Sequence, residues 1–533
     1  MHHVDEIAKA FGENEAKHLE TEAQEPVAQS LQALLNGERV FPSSLCSVPG
    51  GLLGMIDRDR GATLFGVCES GRVAPWFQRL EGDRSEIQGL RVVVAPMGSG
   101  NGALLREVVP YTCPQALGLK ASFGFGDRIG LATPGHALAV ASAEGRIVPV
   151  FAQQSIREMS RTERTASQVM DDATSGVFRV GWTLPFGADA DHLKTKSDVD
   201  VTAEAGFVFF TIDPSEYVDQ QADDYDRHQI EERFQDLIDR KVEGASDVIN
   251  LYRGRTFEIE DGAEGLRVTF DEPRLKRAVV KYGRALAHTY EMADHVATRM
   301  GSKPFELEIS VDETPQSTSP LEHLFIALEL RRHDLRIVGL APRFVGDFEK
   351  AIDYKGSLDR FEASLKQHMA IAEQFGPYKI SVHSGSDKFS IYPSVGRICK
   401  DRFHVKTAGT SYLEALRVVC LVDKAFFRSI VRFARSCFES DRASYHISTG
   451  LDLVPEVDDL RDEELEKTYL DEDHGRQILH VTFGSVLTEK TGNAYRFRER
   501  IRTILQQNQQ LHHEVLRKHL GKHIQYLCQP GCH

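Results

Sequence analysis

A repeated alternation constrains this chain more than anything else in it. From Ala121 onward, eight short β-rich runs each end in polar or glycine residues, and most are followed by a helical pattern. The runs centre near Phe123, Val150, Trp182, Phe209, Leu307, Val338, Ile380 and Val405. Eight strands alternating with helices predict an α/β fold of the TIM type, a (β/α)8 barrel that leaves no edge strand and carries its chemistry on the loops after the strands. An open, doubly wound sheet is the rival architecture, but it gives no reason for charged residues at the ends of nearly all the strands.

Additions surround the predicted barrel, which is assigned to residues 113–450. Residues 1–112 read as a small N-terminal α/β appendage, residues 214–303 as a helical insertion, and residues 451–533 as a C-terminal helical extension. Helical additions of this length cover one face of a barrel, form a lid or make a homo-oligomer contact. Within the appendage, Val92-Val93-Val94-Ala95 runs into Gly98-Ser99-Gly100-Asn101-Gly102 and then a helical stretch. Strand, glycine loop and helix in that order can cradle phosphate. No Lys-Ser/Thr follows, however, and the GxGxxG pattern is incomplete, so a glycine turn with Asn101 near the helix start is the better reading.

Composition narrows the function classes. Against 79 Asp plus Glu stand 64 Lys plus Arg, a net charge of −15; such a surface repels polyanions, and nucleic acid is not an expected partner. The first twenty residues hold no apolar run of the length a signal peptide or membrane span needs, which predicts a cytoplasmic protein with no membrane partner. Eight cysteines are scattered without a CxxC pair, as free thiols in a reducing compartment would be. Cys528 and Cys532 have a metal-compatible spacing but lack a second ligand pair.

Residues able to carry chemistry gather at the predicted strand ends. Asp189, Asp191, His192 and Lys194 follow the third run, a donor set that suits a hard or borderline cation, though an exposed acidic turn with a helix cap has the same composition. In the seventh run Lys379, Ser381 and His383 share inward parity, and the turn through Ser384, Ser386 and Asp387 offers amides and hydroxyls to a ligand. Glu306, Glu308, Ser310 and Asp312 share one face by period-two alternation. Inside a barrel they need a cation or protons; on the outside they would pair with Lys or Arg. Arg128, Arg343 and Lys406 also fall at strand ends, where cations suit an anionic substrate, and Glu349, Asp353 and His404 flank the same mouth. The acidic run Asp471 to His474 reads as a solvated loop, and His512, His513, His519 and His523 as a helix face without a role.

The strings PVFAQQSIRE, PFGADADHLKT, FFTIDPS, LAPRFVGDFEKAIDYKG, YKISVHSGSDKFSIYP and FHVKTAGTSY, in order between Ala121 and His446, resemble the tagaturonate/fructuronate epimerase family. The resemblance implies interconversion of D-tagaturonate and D-fructuronate, a sugar-acid epimerisation; some relatives act on neutral ketohexoses. It also implies a divalent metal cation, with zinc, manganese, cobalt and nickel as the options. Carried over residue by residue, it implies Asp191 as proton acceptor, Glu308 as proton donor, and His192 and His383 as metal ligands. A third ligand is expected from the LAPRFVGDFEKAID string, with Glu349 chosen over Asp353 and Glu308 itself as a further option. Lys194, Arg343, Ser386, Asp387, His404 and Lys406 are the expected substrate-binding residues. Metal-dependent isomerases, aldolases and a non-catalytic hexuronate-binding protein are the rival functions on the same barrel.

Overall fold

The computed structural model describes residues 2–58, 61–260 and 265–528. Eight parallel strands close into a barrel: β1 (Ser122–Phe125), β2 (Val148–Ser155), β3 (Gly187–Leu193), β4 (Phe209–Ile212), β5 (Glu306–Ser310), β6 (Gly339–Ala341), β7 (Lys379–Val382) and β8 (Phe403–Thr407). Each pairs with the next in sequence, and β8 pairs with β1. All eight predicted runs supply a strand, with Val338 one residue ahead of β6 and one larger shift of position. Trp182 precedes β3 instead of centring it: Gly181 turns left-handed at φ 64° and Trp182 N–H donates to Val177 O at 3.0 Å, closing the helix before the strand begins.

The surrounding helices are α1 (Thr133–Ala141), α2 (Ala166–Val180), α3 (Lys196–Ala205), α4 (Glu272–Met300), α5 (Pro320–Arg332), α6 (Leu358–Phe375), α7 (Tyr392–Cys399) and α8 (Thr410–Val422). Reciprocal capping boxes start three of them, with Thr165 and Gln168 before α2, Thr195 and Asp198 before α3, and Ser319 and Glu322 before α5. Alternation in the strands sorts the two faces. Leu307, Ile309, Ile380, Val382, Phe403 and Val405 are buried outward against the helices, while Glu306, Glu308, Ser310, Lys379, Ser381, His404 and Lys406 fill a polar interior. The exterior option for the β5 carboxylates is thereby overturned. Gly339 stands opposite Glu308 in register, and a Cβ there would lie 2.5 Å from Glu308 Oε2, so β6 needs glycine to admit the carboxylate.

The insertion after β4 holds a helix at Arg227–Asp239 and a hairpin of Thr256–Ile259 with Leu266–Thr269. The second helix expected in it is the 29-residue α4, the barrel's own fourth helix. At the N-terminus, seven strands form an antiparallel sheet. One face packs on the helix Thr21–Leu34 through Leu31, Leu52 and Phe65; the other packs Trp76 and Leu105 against Phe178 of α2. Asn101 is spent inside this unit, its amide bonding Pro96 O at 2.8 Å and Glu81 O at 2.9 Å, as a turn anchor does. The last helix, α9 (Gln509–Cys528), docks on α1, α7 and α8. Its histidines do not all form a solvated face: His512 and His523 are buried. Cys532 lies outside the described residues. No helix among the described residues is long and apolar enough to cross a membrane.

Candidate active site

Lys406 organises the barrel interior. Its Nζ lies 2.8 Å from Asp189 Oδ2, 2.8 Å from Asp191 Oδ1 and 3.0 Å from Glu308 Oε1, and donates to Thr211 Oγ1 at 2.6 Å. Burial alone would pull the ammonium down, but the three carboxylates hold it well above the ordinary lysine range. Strand ends bring these groups together because inward side chains of neighbouring strands meet on the barrel axis. Gln153 on β2 donates to Asp191 Oδ2 at 3.3 Å, and Ser381 on β7 donates to Glu308 Oε2.

Two imidazoles stand over this network. The His192 and His383 rings cross at 78° with centroids 5.1 Å apart. Each turns Nδ1 to a carboxylate, His192 to Asp213 Oδ2 at 3.2 Å and His383 to Asp312 Oδ1 at 3.2 Å. Nε2 then faces inward, 3.7 Å from Asp191 Oδ1 for His192 and 2.8 Å from Glu308 Oε1 for His383. Asp191, His192 and His383 each offer a ligand atom within 4.8 Å of the others.

This arrangement fits a divalent cation on its donor chemistry. Imidazole nitrogens with a carboxylate oxygen suit borderline metals, and an outer carboxylate on each Nδ1–H is the usual way a protein orients a metal-binding histidine. Electrostatics agree. Burial would lower both imidazoles, yet Asp191 and Asp213 raise His192 to about 10, and Asp312 raises His383 to about 8. So many carboxylates call for positive charge between the rings, which a cation would supply in place of protons.

A cleft opens above these groups at the mouth of the barrel. Asp191, His192, His383 and Lys406 form one side; Arg128, Arg157, Lys350, Tyr445 and His480 line the other. Three residues on its wall, His192, Ala351 and Ser384, hold positive φ angles of 53°, 62° and 50°, backbone strain of the kind that accompanies functional sites.

Of the residues singled out in the sequence, the structure thus brings together Asp191, His192, His383, Glu308 and Lys406, with Ser386 on the cavity wall. Others lie elsewhere. Glu349 is not in the cluster: its carboxylate meets Lys355 Nζ at 3.0 Å, Ser448 N–H at 2.8 Å and Gln477 Nε2 at 2.8 Å. Burial would raise it, but these donors, Gln477 foremost, hold it at about 2. Asp353 is likewise spent, on Ser390 Oγ at 2.9 Å. Lys194 turns to Glu216 at 3.2 Å and Asp213 at 3.7 Å, outside the cavity wall. The Arg343 side chain does not line the cavity. His404 is enclosed below it, 2.9 Å from Ser122 Oγ and 3.7 Å from Asp189 Oδ2. Asp387 pairs with Arg476 at 2.8 Å in a separate cluster.

Sequence reasoning missed Lys350, Arg157, Tyr445 and His480. Arg157 opens the helix after β2, so strand-end position could have found it, whereas Lys350 lies in the loop well past the end of β6 beside Glu349. Tyr445 and His480 come from beyond α8, where no local pattern points at the barrel mouth.

Comparison with known proteins agrees with this geometry. The family model described as tagaturonate epimerase, UxaE, matches residues 42–527. The tagaturonate/fructuronate epimerase of Thermotoga maritima is 41% identical over 444 residues, covering 83% of this chain and 88% of that protein. Two crystal structures of the fructuronate-tagaturonate epimerase UxaE from Cohnella laeviribosi, native and with one glycerol, match with TM-scores of 0.85 and 0.84 at 35% identity, covering 94% of this chain and 99% of theirs. The chain belongs to the tagaturonate epimerase family, a family of carbohydrate epimerases.

Proposed function

We propose that this chain interconverts D-tagaturonate and D-fructuronate with the help of a divalent cation held by His192, His383 and Asp191. The observation that carries the reading is the convergence of both imidazoles and an ionised carboxylate on the floor of a cavity at the barrel mouth. Asp191 takes the place in the ligand set that Glu349 was expected to fill.

The chemistry restricts the route. Counted from the keto end, the ketone is C2 and the inverted centre is C4, so the carbonyl does not acidify the C4–H bond and enolisation leaves it untouched. Retro-aldol cleavage inverts it: a base takes the C4 hydroxyl proton, the C3–C4 bond breaks, and the aldehyde fragment turns and recloses on its other face. A cation bound here supplies Lewis-acid stabilisation of the enediolate charge.

The chain's own groups move the protons. Burial would raise Asp191, but His192 and Lys406 hold it below the ordinary carboxylate range, so it stands ionised as the base. Its two oxygens divide the work: Oδ1 faces His192 and Lys406, and Oδ2, touched by Gln153, is left for the substrate hydroxyl. Glu308 is also kept ionised, by Lys406 and His383 against the effect of burial. To return a proton it must first receive one, from Lys406 at 3.0 Å, since the His383 Nε2 that faces it is a ligand of the cation in this scheme. Lys406 bridges Asp191 and Glu308, which lets base and acid exchange one proton without bulk water.

The test is direct. The purified chain is stripped with chelator, reloaded with zinc, manganese, cobalt or nickel in turn, and incubated with tagaturonate while NMR follows fructuronate. At least one cation should restore turnover; full turnover by the stripped protein removes the cation from the reaction, and no product with any cation removes the assigned substrate.

A further inference from the structure

The cations on the cavity wall are not equivalent. Lys406 is neutralised by three carboxylates. Arg128 is locked to Glu158 at 2.6 Å, with both side chains buried. Arg157 reaches Glu313 at 3.4 Å. Lys350 differs: its Nζ donates to the Ser384 hydroxyl at 2.6 Å, and among the described residues it has no carboxylate within ion-pairing distance. A half-buried ammonium facing a cavity with a neutral partner lacks a counter-ion that a ligand is placed to provide.

Lys350 is also rigidly presented. Gln477 Nε2 donates to Lys350 O at 3.2 Å, and the buried Lys388 ammonium donates to Glu349 O at 2.8 Å and Ser386 O at 3.1 Å, tying the loop after β6 to the loop after β7. Glu349 fastens the same loop to Ser448 and Gln477. Beside it, His480 is buried with Nδ1 lacking any hydrogen-bond partner among the described residues, and it lines the same cavity. Burial with Arg128 nearby holds this imidazole neutral, well below its ordinary range. Buried polar atoms are rarely left unpaired, so an unpartnered nitrogen on a cavity wall marks a ligand contact.

We propose that Lys350 and His480 form a carboxylate subsite, with Lys350 pairing the acid end of the substrate and His480 bonding the polar group next to it. The assignment rests on the sugar-acid reading above and sharpens it: the subsite sets the preference for a sugar acid over a neutral ketose and fixes which end of the chain lies against His192 and His383. Burial, reinforced by Arg157, draws the Lys350 ammonium below its usual range, and a bound carboxylate would reverse that.

The experiment uses two six-carbon probes that do not react and differ in the carboxylate, gluconate and glucitol, titrated calorimetrically into the metal-loaded full chain. The wild type should favour gluconate, and Lys350→Met should shrink the gluconate-to-glucitol affinity ratio about 30-fold, the effect of losing one charge-assisted hydrogen bond. Lys350→Arg should restore part of it. The ratio of kcat/KM for tagaturonate over tagatose should fall in step. No gluconate preference in the wild type overturns the subsite even if the variants fail to fold, as does an unchanged ratio in folded Lys350→Met, which would send the carboxylate to the cation instead. A wild type that binds gluconate selectively yet epimerises neither sugar would sink the proposed reaction and leave the subsite standing.

Discussion

Two histidine–carboxylate clusters in this molecule have the same composition and opposite characters. Asp191, His192 and His383 lie at the barrel mouth; Asp387, His519 and His523 lie where α9 crosses the loop after β7, and their ligand atoms too fall within 4.8 Å of one another. In the second cluster the lone pairs are already used. His523 Nε2 accepts the Asp387 backbone N–H at 3.1 Å while its Nδ1 donates to His519 O at 3.0 Å. His519 spans two carboxylates, Asp387 Oδ1 at 2.5 Å and Glu414 Oε1 at 3.3 Å, and Arg476 closes the other Asp387 oxygen at 2.8 Å. The first cluster is carboxylate-rich and opens on a cavity; the second is balanced and closed. Proximity of histidine and aspartate alone therefore does not separate a candidate metal site from a structural cluster. What distinguishes the candidate at the barrel mouth is an Nε2 turned inward by a carboxylate on Nδ1, with carboxylate charge left over.

The comparison breaks most visibly on cation binding. His383→Ala should abolish zinc binding in calorimetry and lower turnover by at least about 1,000-fold, because it removes a ligand from the reacting centre. His523→Ala should leave zinc stoichiometry and affinity as they are. Equal loss in both variants would make the α9 cluster a metal site and refute the distinction.

Stability should respond in the opposite sense. Asp387→Ala takes the nearer counter-ion from the buried Arg476 guanidinium and from His519, leaving both to the more distant Glu414, a loss of about 3–5 kcal/mol for breaking a buried pair. Asp191→Ala removes one of three carboxylates around Lys406, which keeps Asp189 and Glu308. Its cost should be the smaller of the two, because Lys406 and His192 each keep another carboxylate and those that remain repel one another less. Urea unfolding of the two variants measures this, and an Asp191→Ala as unstable as Asp387→Ala would mean the barrel-mouth charges are structural and not held in readiness for a ligand.

The two clusters also differ in how much the sequence disclosed. The barrel was legible because strand periodicity is local: polar residues two apart in Glu306, Glu308 and Ser310, and again in Lys379, Ser381 and His383, mark an inward face before any contact is known. The cluster at the mouth followed from that face, since strand ends must converge. Glu349 was chosen over Asp353, and Lys350 beside it passed unnoticed, because loop parity is not fixed by a period; the bonds to Ser448 and Gln477, about a hundred residues on, decide which side chain faces the cavity. The α9 cluster was illegible for the same reason. His519 and His523 are four apart on a helix, a spacing that reads alike whether the face meets water or Asp387. The N-terminal unit shows a third kind of limit: its short runs and glycine turns announced strands and helices, but the antiparallel pairing is set by contacts between runs.

The smallest effect concerns pH and probes the closed cluster alone. Burial would lower His519, but Glu414 and Asp387 raise it above its ordinary value, with Arg476 opposing them. A histidine whose folded pKa is raised adds stability that is complete below the unfolded value of about 6.5 and is lost as pH climbs through the folded value. The wild type should therefore exceed His519→Gln by about 1 kcal/mol at pH 6, a melting difference of about 1–2 °C in a chain this long. By pH 9 that margin should narrow, because a neutral imidazole satisfies one carboxylate where the imidazolium satisfied two. Scanning both proteins by calorimetry at each pH decides it. A margin that grows with pH would mean that His519 is neutral in the folded chain, and the closed cluster would then hold a free imidazole lone pair.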